Sequence, residues 1–411
     1  MNRRYRIDGS WQRFDGVLLA GSPLRLFRTT DAGTRVLARI ERGEPVAPSS
    51  LVSRLLDAGA VHPAVERSAA FTGSDVTVVT PQLRTGPASV GADDGRVTVD
   101  DGSSPPLSGA TLRLPATRGP AAARNAGRGV VDTDLIAFVD ADVEITDGWL
   151  EPLLAHFDDP RVGLVAPRVT GERASPLDLG TDAARVRAGT RVSYVPGAAM
   201  VVRAAAFDEV GGFDPTLRFG EDVDFVWRLD DAGWQCRYDP AAAVWHEPRT
   251  SWRERLQQHA GYGTSAAPLA LRHPGALSPV HMNGWTAASW ALALFGQWVP
   301  AIALGAGSSV ALVRKLPDVP PRAAMGLALR GHLLAGRQLA SASRRVWWPM
   351  LVATAVLSRR SRWWLLLALV DKPRAAPTDL AYGWGVWAGM RRSRSWSPIA
   401  PRLSAWPGRQ R

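Results

Sequence analysis

Short runs rich in β-branched residues alternate with helix-like segments from Asp75 to Pro248, and this alternation restricts the fold more than any other feature of the chain. DVTVVTP (75–81), GRVTVDD (95–101), LIAFVDADV (135–143), VGLVAPRV (162–169), RVSYVPGAAMVVR (191–203) and QCRYDPAAAVWHEP (235–248) predict strands. GPAAARNAGRGV (119–130), GWLEPLLAHF (148–157) and GEDVDFVWRL (220–229) predict helices. The pattern favours an α/β fold: a Rossmann-like, mostly parallel sheet with helices on both faces, in a domain running over 75–280.

The flanks differ. In residues 1–62, VLLAGSPLRLFR gives two apolar runs around Gly21-Ser22-Pro23, a hairpin signal. One helix should carry Val36, Leu37 and Ile40; a second, capped by Ser49 or Ser50, should carry Leu51, Val52, Leu55 and Leu56 and stop at Gly59. Hairpin plus two helices resembles a winged-helix module of the peptide-recognition type. Residues 63–74 lack periodicity and read as a linker.

Charge separates the C-terminal region from the rest. Residues 281–411 hold 18 Lys and Arg against Asp318, Asp371 and Asp379, net +15, which leaves the first 280 residues at net −4. The same region holds 11 of the 17 tryptophans, and Arg interleaved with aromatic and apolar runs suits a bilayer interface better than a phosphate groove. A nucleic-acid partner is therefore disfavoured. From Trp285 to Val313 stand 29 residues without a charged side chain, ended by Arg314 and Lys315; that length can span a bilayer, while Pro300 and several Gly and Ser also allow an interfacial or buried hairpin. The runs 346–357 and 363–370 are too short to span. Membrane association through 281–370, on the cytoplasmic side, is the expectation. A single cysteine, Cys236, excludes an intramolecular disulfide and fits a reducing compartment, and no signal peptide is read at the basic N-terminus.

Asp-x-Asp occurs at 132/134, 140/142 and 222/224, so context must decide between them. Only Asp140 and Asp142 directly follow a strand, where open sheets place ligands. Two readings stand: Asp142 binds Mg²⁺ or Mn²⁺ bridging a diphosphate while Asp140 accepts a ribose hydroxyl or shares the metal, or both are surface aspartates of a solvated turn. Asp100 and Asp101, before Gly102-Ser103, either meet a base or ribose or form an ordinary Asp-Gly turn. Glu221 and Asp222 open a helix, where acids complement the helix dipole or serve catalysis, Asp222 as general base for an acceptor hydroxyl. Arg124 pairs with phosphate or is a surface arginine, with Asn125 beside it; His246 completes a metal shell or is merely packed.

Together these motifs resemble the inverting family 2 nucleotide-sugar glycosyltransferases of GT-A fold over roughly residues 75–250. The resemblance implies that the Thr80-Pro81 loop, Asp100 or Asp101, Arg124, Asn125, Asp140 and Asp142 hold the donor, that the metal lies at Asp140, Asp142 and His246, and that Asp222, with Glu221, serves catalysis. GSPLRLFR, LLDAGAVHP, SPLDLG, VSYVPGAAMVVR and YGTSAAPLALRHPG are similar to the glycosyltransferases of mycofactocin systems, which implies UDP-glucose as donor and premycofactocin, a peptide-derived redox cofactor precursor, as acceptor for several β-linked glucose units. Two departures stand out: the breaker-rich segment 82–96 is shorter than the family's usual helix, and Trp252 and Arg255 occur in a different order from the Gln-x-x-Arg-Trp motif of processive relatives. Rival expectations are a family 2 enzyme with a lipid-linked or cell-envelope acceptor, and a non-catalytic transferase-like domain that binds a peptide.

Overall fold

The computed structural model of the chain describes residues 2–64, 67–83, 96–172, 175–247, 251–357 and 373–404. They form two compact units, Met1–Pro248 and Arg249–Arg411. The segment 84–95, where the sequence lacks the family's usual helix, lies outside the described residues, as does the apolar run 363–370.

The first unit begins with β1 (Tyr5–Ile7), β2 (Gln12–Phe14), β3 (Val17–Ala20) and β4 (Arg25–Arg28), then α1 (Asp31–Glu41), α2 (Ser50–Asp57) and β5 (Val61–Pro63). The expected hairpin is β3 against β4, extended by β2, and β1 closes on β5. Ser49 caps α2 by accepting from the Val52 amide (3.3 Å). Leu37, Ile40, Val52, Leu55 and Leu56 are buried together with Leu18 and Phe27, as the helical spacing predicts. Polar contacts fasten these elements to the rest of the first unit: Arg191 Nη2 reaches Asp8 Oδ2 at 3.0 Å, and Gln235 Nε2 reaches Asp57 Oδ1 at 3.1 Å.

The main sheet comprises β6 (Val76–Gln82), β7 (Arg96–Asp100), β8 (Leu112–Arg113), β9 (Leu135–Val139), β10 (Val143–Ile145), β11 (Val162–Thr170), β12 (Ala184–Val186), β13 (Ala199–Arg203) and β14 (Gln235–His246). Their order is β10-β14-β11-β13-β9-β6-β7-β8, with β12 also on β14. Interleaved are α3 (Pro120–Arg128), α4 (Glu151–Leu154), α5 (Ala204–Glu209) and α6 (Glu221–Asp231). The sheet is mixed, which corrects the expectation of a mostly parallel one: β13 runs antiparallel between β9 and β11, and β10 and β12 run antiparallel to β14.

The long strand expected over 191–203 shrinks to β13. Pro196 has no amide to give a ladder, and the Gly197 amide is donated to Asp222 (2.9 Å) instead of to a neighbouring strand. The helix expected over 148–157 is only α4 followed by a 3₁₀ turn, and β8, β10 and β12 are too short to carry a period. All five residues of β9 are buried because both faces of the sheet are covered. On one side Leu135, Ala137 and Val139 pack with Leu153, Phe157 and Val165; on the other Phe138 stacks with Phe207 and Phe213, which reach Phe225.

The second unit contains α7 (Trp252–Thr264), α8 (Ala266–Arg272), β15 (His281–Asn283), α9 (Gly284–Leu294), α10 (Trp298–Lys315), α11 (Pro321–Arg345), α12 (Trp348–Leu357), α13 (Ala376–Ser393) and β16 (Arg402–Ser404), which pairs parallel with β15. Gly263 of α7 meets the backbone of Tyr382 and Val386, and Gly385 of α13 meets that of Ala260, so these two helices touch where no Cβ intervenes. The charge-free stretch 285–313 is divided at residues 295–297 into α9 and α10, which form a hairpin held by Ser289 Oγ donating to Ala301 O (2.7 Å). Among the described residues no helix is long and apolar enough to cross a membrane, so the spanning reading of this stretch gives way to the hairpin.

Candidate active site

Three elements bring the acidic residues together: the end of β9, the start of α6, and the Pro196-Gly197 loop before β13. Arg124 joins them from α3, where Ala121, Ala122 and Ala123 are small enough for the helix to lie close on the sheet. Its side chain is 1% exposed. Nη2 donates to Asp140 Oδ1 and to Gly197 O (3.1 Å), Nη1 donates to Glu221 Oε1 (3.2 Å), and the guanidinium lies 5.2 Å from the Phe213 ring centroid. The backbone N–H of the same residue, Gly197, donates to Asp222 Oδ2, whose other oxygen accepts from the Val223 amide (2.8 Å). One buried cation thus ties the strand-end carboxylate to the acidic start of α6. Gly220 at φ +76 precedes that helix, a left-handed turn that glycine adopts without penalty.

The electrostatics derive from this burial. Desolvation opposes the Arg124 charge, yet Asp140 and Glu221 outweigh it and hold the guanidinium above its ordinary range. Burial raises the Asp140 carboxyl against the pull of Arg124, and the charges of Asp142 and Asp222 add to the rise. Burial and the neighbouring Asp222 push Glu221 up to about 7. Asp222 is also raised by burial, with the Val223 and Gly197 amides opposing. A carboxylate held above its usual range is a better proton acceptor than one in water.

Asp142 points the other way. Its side chain is 71% exposed, and Oδ2 lies 3.4 Å from His246 Nε2 across the β10–β14 pairing, where Val143 is in register with His246. The hydrogen bond that Asp142 accepts raises the His246 imidazole, whose Nδ1 is buried without a hydrogen-bond partner. Among the described residues no group of three or more His, Cys, Asp and Glu could hold a metal ion. The expected trio of Asp140, Asp142 and His246 is thus not brought together: Asp140 is drawn to Arg124, and Asp142 and His246 are left as a pair at the sheet edge.

The other residues expected at the site hold the surrounding backbone. Asp100 is buried and accepts from the Ser103 (2.8 Å) and Leu107 (3.2 Å) amides, with Arg113 Nη1 3.3 Å away; Asp101 accepts from the Arg118 and Gly119 amides, both at 2.8 Å. The pair therefore pins the 102–119 segment to the end of β7. Asn125 spends both ends of its amide on Phe213, accepting from its N–H (2.9 Å) and donating to its carbonyl (2.7 Å). Arg124 is not a surface arginine, and its guanidinium is already taken up by carboxylates and a carbonyl. Thr80 and Pro81 are buried at the end of β6, and Thr80 Oγ1 has no hydrogen-bond partner. Sequence reasoning missed Gly197; its only signal was a Pro-Gly inside an apparent strand. The third Asp-x-Asp is structural at Asp224, which takes Arg228 Nε at 2.7 Å.

Residues 99–189 match the family described as Glycosyl transferase family 2. The chain is 37% identical over 468 aligned positions to the pre-mycofactocin glycosyltransferase of Mycobacterium tuberculosis, covering 98% of this chain and 97% of that protein. It is also 38% identical over 87 positions to the N-acetylglucosaminyl-diphospho-decaprenol L-rhamnosyltransferase of the same organism, covering 20% of this chain and 28% of that one. Among solved structures, the mannosyltransferase PcManGT of Pyrobaculum calidifontis, in complex with GDP-Man and Mn²⁺, aligns at 17% identity and TM-score 0.42 over 79% of this chain and 90% of that one. The mixed sheet with its covering helices is a GT-A-like glycosyltransferase fold, and the full-length identity to the mycobacterial enzyme shows that the chain belongs to the pre-mycofactocin glycosyltransferases of glycosyl transferase family 2.

Proposed function

We propose that this glycosyltransferase moves glucose from UDP-glucose to premycofactocin with inversion, building a β-linked oligoglucoside. The observation that carries the catalytic part is the half-buried Asp222, fixed by two backbone amides at the start of α6 and raised by burial. Asp222 removes the proton of the acceptor hydroxyl as its oxygen attacks the anomeric carbon from the face opposite the departing UDP, which inverts the configuration. Arg124 holds Asp140 and Glu221 in place; it engages Asp140 through Oδ1, and Oδ2 is suited to accept from a ribose hydroxyl.

Asp142 and His246 fit a divalent cation, Mg²⁺ or Mn²⁺: they pair an exposed carboxylate with an imidazole at a strand edge, and it is Asp140, not Asp142, that the Arg124 guanidinium engages. When bound, the cation neutralises charge on the departing diphosphate. The peptide origin of the acceptor agrees with a winged-helix-like reading of the N-terminal hairpin and helices.

The test is UDP release from UDP-glucose in the presence of Mn²⁺, measured with and without premycofactocin, alongside other UDP- and GDP-sugars. Release that rises with acceptor and yields a product heavier by whole hexoses supports the reading. Release indifferent to premycofactocin removes the acceptor assignment, and release from another sugar alone removes the donor.

A further inference from the structure

Helix α10 turns an apolar face to solvent. Its buried positions are Ala301, Ser308 and Ser309; Ser308 Oγ lies 3.0 Å from His332 Nε2, and both hydroxyls donate to Gly305 O at 2.8 Å. Its outward face is apolar, with Val299 79%, Ile302 70% and Val310 44% exposed at helical spacing, and Ala303 and Ala306 exposed between them. A surface helix in water turns polar residues outward. Six successive residues at its start, 295–300, are all exposed, Phe295 at 76% and Trp298 at 60%. The neighbouring α11 exposes Met325, Leu329 and Leu333, and its exposed cations Arg322, Arg330 and Arg337 are spaced along the same stretch.

We infer that the outward face of α10, with the turn 295–300, is a lipid-contacting surface that rests in the interface of an anionic membrane without crossing it. Three observations favour lipid over a second copy or another protein. No charged side chain occurs between Trp285 and Val313, whereas protein interfaces carry a polar rim. An aromatic pair sits at the turn, where interfacial anchors place such rings. The net charge of +15 over 281–411, with Arg314 and Lys315 exposed at the far end of α10, complements anionic headgroups. The helix lies in the interface plane, since none of the described helices is long and apolar enough to cross. The inference rests on none of the donor or acceptor assignments.

The full chain carrying Val299→Cys, labelled with an environment-sensitive fluorophore, tests it; Cys236 is buried, and identically treated wild type reports any labelling there. Vesicles of phosphatidylcholine mixed with phosphatidylglycerol should raise and blue-shift the fluorescence, and phosphatidylcholine alone should do so more weakly. The triple variant Phe295→Ser, Trp298→Ser, Ile302→Ser should keep its far-ultraviolet circular dichroism and its turnover in solution but bind the mixed vesicles about tenfold or more weakly. An unchanged signal with mixed vesicles overturns the inference. So does a signal that rises with protein concentration in their absence, together with a dimeric mass, because the face then meets a second copy.

Discussion

Arg124 and Asp140 are joined by a hydrogen bond from Nη2 to Oδ1 between a helix and a strand end, and the same guanidinium reaches Glu221 at 3.2 Å through Nη1. The Arg124 side chain is almost wholly buried, so its charge is balanced by protein alone. Asp140 and Glu221 belong to the two halves of the site, one expected to face the nucleotide and the other flanking the base.

Removing the cation should therefore harm stability and turnover together. Arg124→Met leaves two carboxylates and the Gly197 carbonyl without their donor, and breaking a buried pair in this way costs about 3–5 kcal/mol. Urea denaturation of the variant should show the loss as a lower midpoint. Arg124→Lys keeps the charge but not the fork that serves three acceptors, and should fall between the two. A midpoint for Arg124→Met equal to that of the wild type would contradict the strut.

Asp222→Asn should separate binding from transfer. The amide keeps an oxygen that can accept from Gly197 or Val223, so the loop and the start of α6 stay in place, while proton acceptance is lost. Turnover should drop about 10²–10⁴-fold, with UDP affinity by calorimetry unchanged. Equal loss of affinity and turnover would make Asp222 a residue that shapes the pocket, not a base.

The sequence was informative where periods are long and uninformative where contacts are distant. Strands β6, β9 and β11 and helices α1, α2, α3 and α6 emerge from apolar spacing and caps. The antiparallel entry of β13 does not, because direction in a sheet depends on the path of the connection and not on the residues of the strand. The strand-end acids were visible, yet their partners were not: Asp101 binds amides 17 and 18 residues away and Arg124 binds Glu221 97 residues away, separations that no local pattern encodes. The charge-free stretch 285–313 is long enough to span a bilayer, but its break falls at Gly296, whose φ of +78 glycine adopts without penalty, so length alone was a poor guide there.

The acidic start of α6 should leave a mark on stability against pH. Glu221 has an ordinary value of 4.5 and is pushed up to about 7 by burial and by Asp222, so between those values the folded chain binds more protons than the unfolded one. Its contribution to stability must then fall as pH rises through that window. His62 and His156, both depressed by burial, tilt the curve the opposite way. The informative quantity is the difference in unfolding free energy between wild type and Glu221→Gln at successive pH values: the variant should gain on the wild type from about pH 5 to about pH 7 as the wild-type carboxyl ionises. A constant difference would place the Glu221 titration outside this range.

Metal dependence should divide between the exposed pair and the buried one. Asp142 and His246 stand 3.4 Å apart, and the Arg124 guanidinium is engaged by Asp140 and Glu221, so Asp142→Ala and His246→Ala should each raise the Mn²⁺ concentration needed for half-maximal turnover while leaving the urea midpoint near that of the wild type. Asp142→Ala should have the larger effect, because it removes a formal negative charge as well as a donor atom, whereas His246 supplies a neutral nitrogen. Asp140→Ala should lower the urea midpoint more than either, since it leaves the buried Arg124 charge with Glu221 as its remaining carboxylate partner. Titrating Mn²⁺ across the three variants, with urea midpoints measured alongside, separates the roles; a shared loss of stability would mean that the exposed pair braces the β10–β14 edge, and an unshifted Mn²⁺ requirement in Asp142→Ala and His246→Ala would remove both from the metal shell.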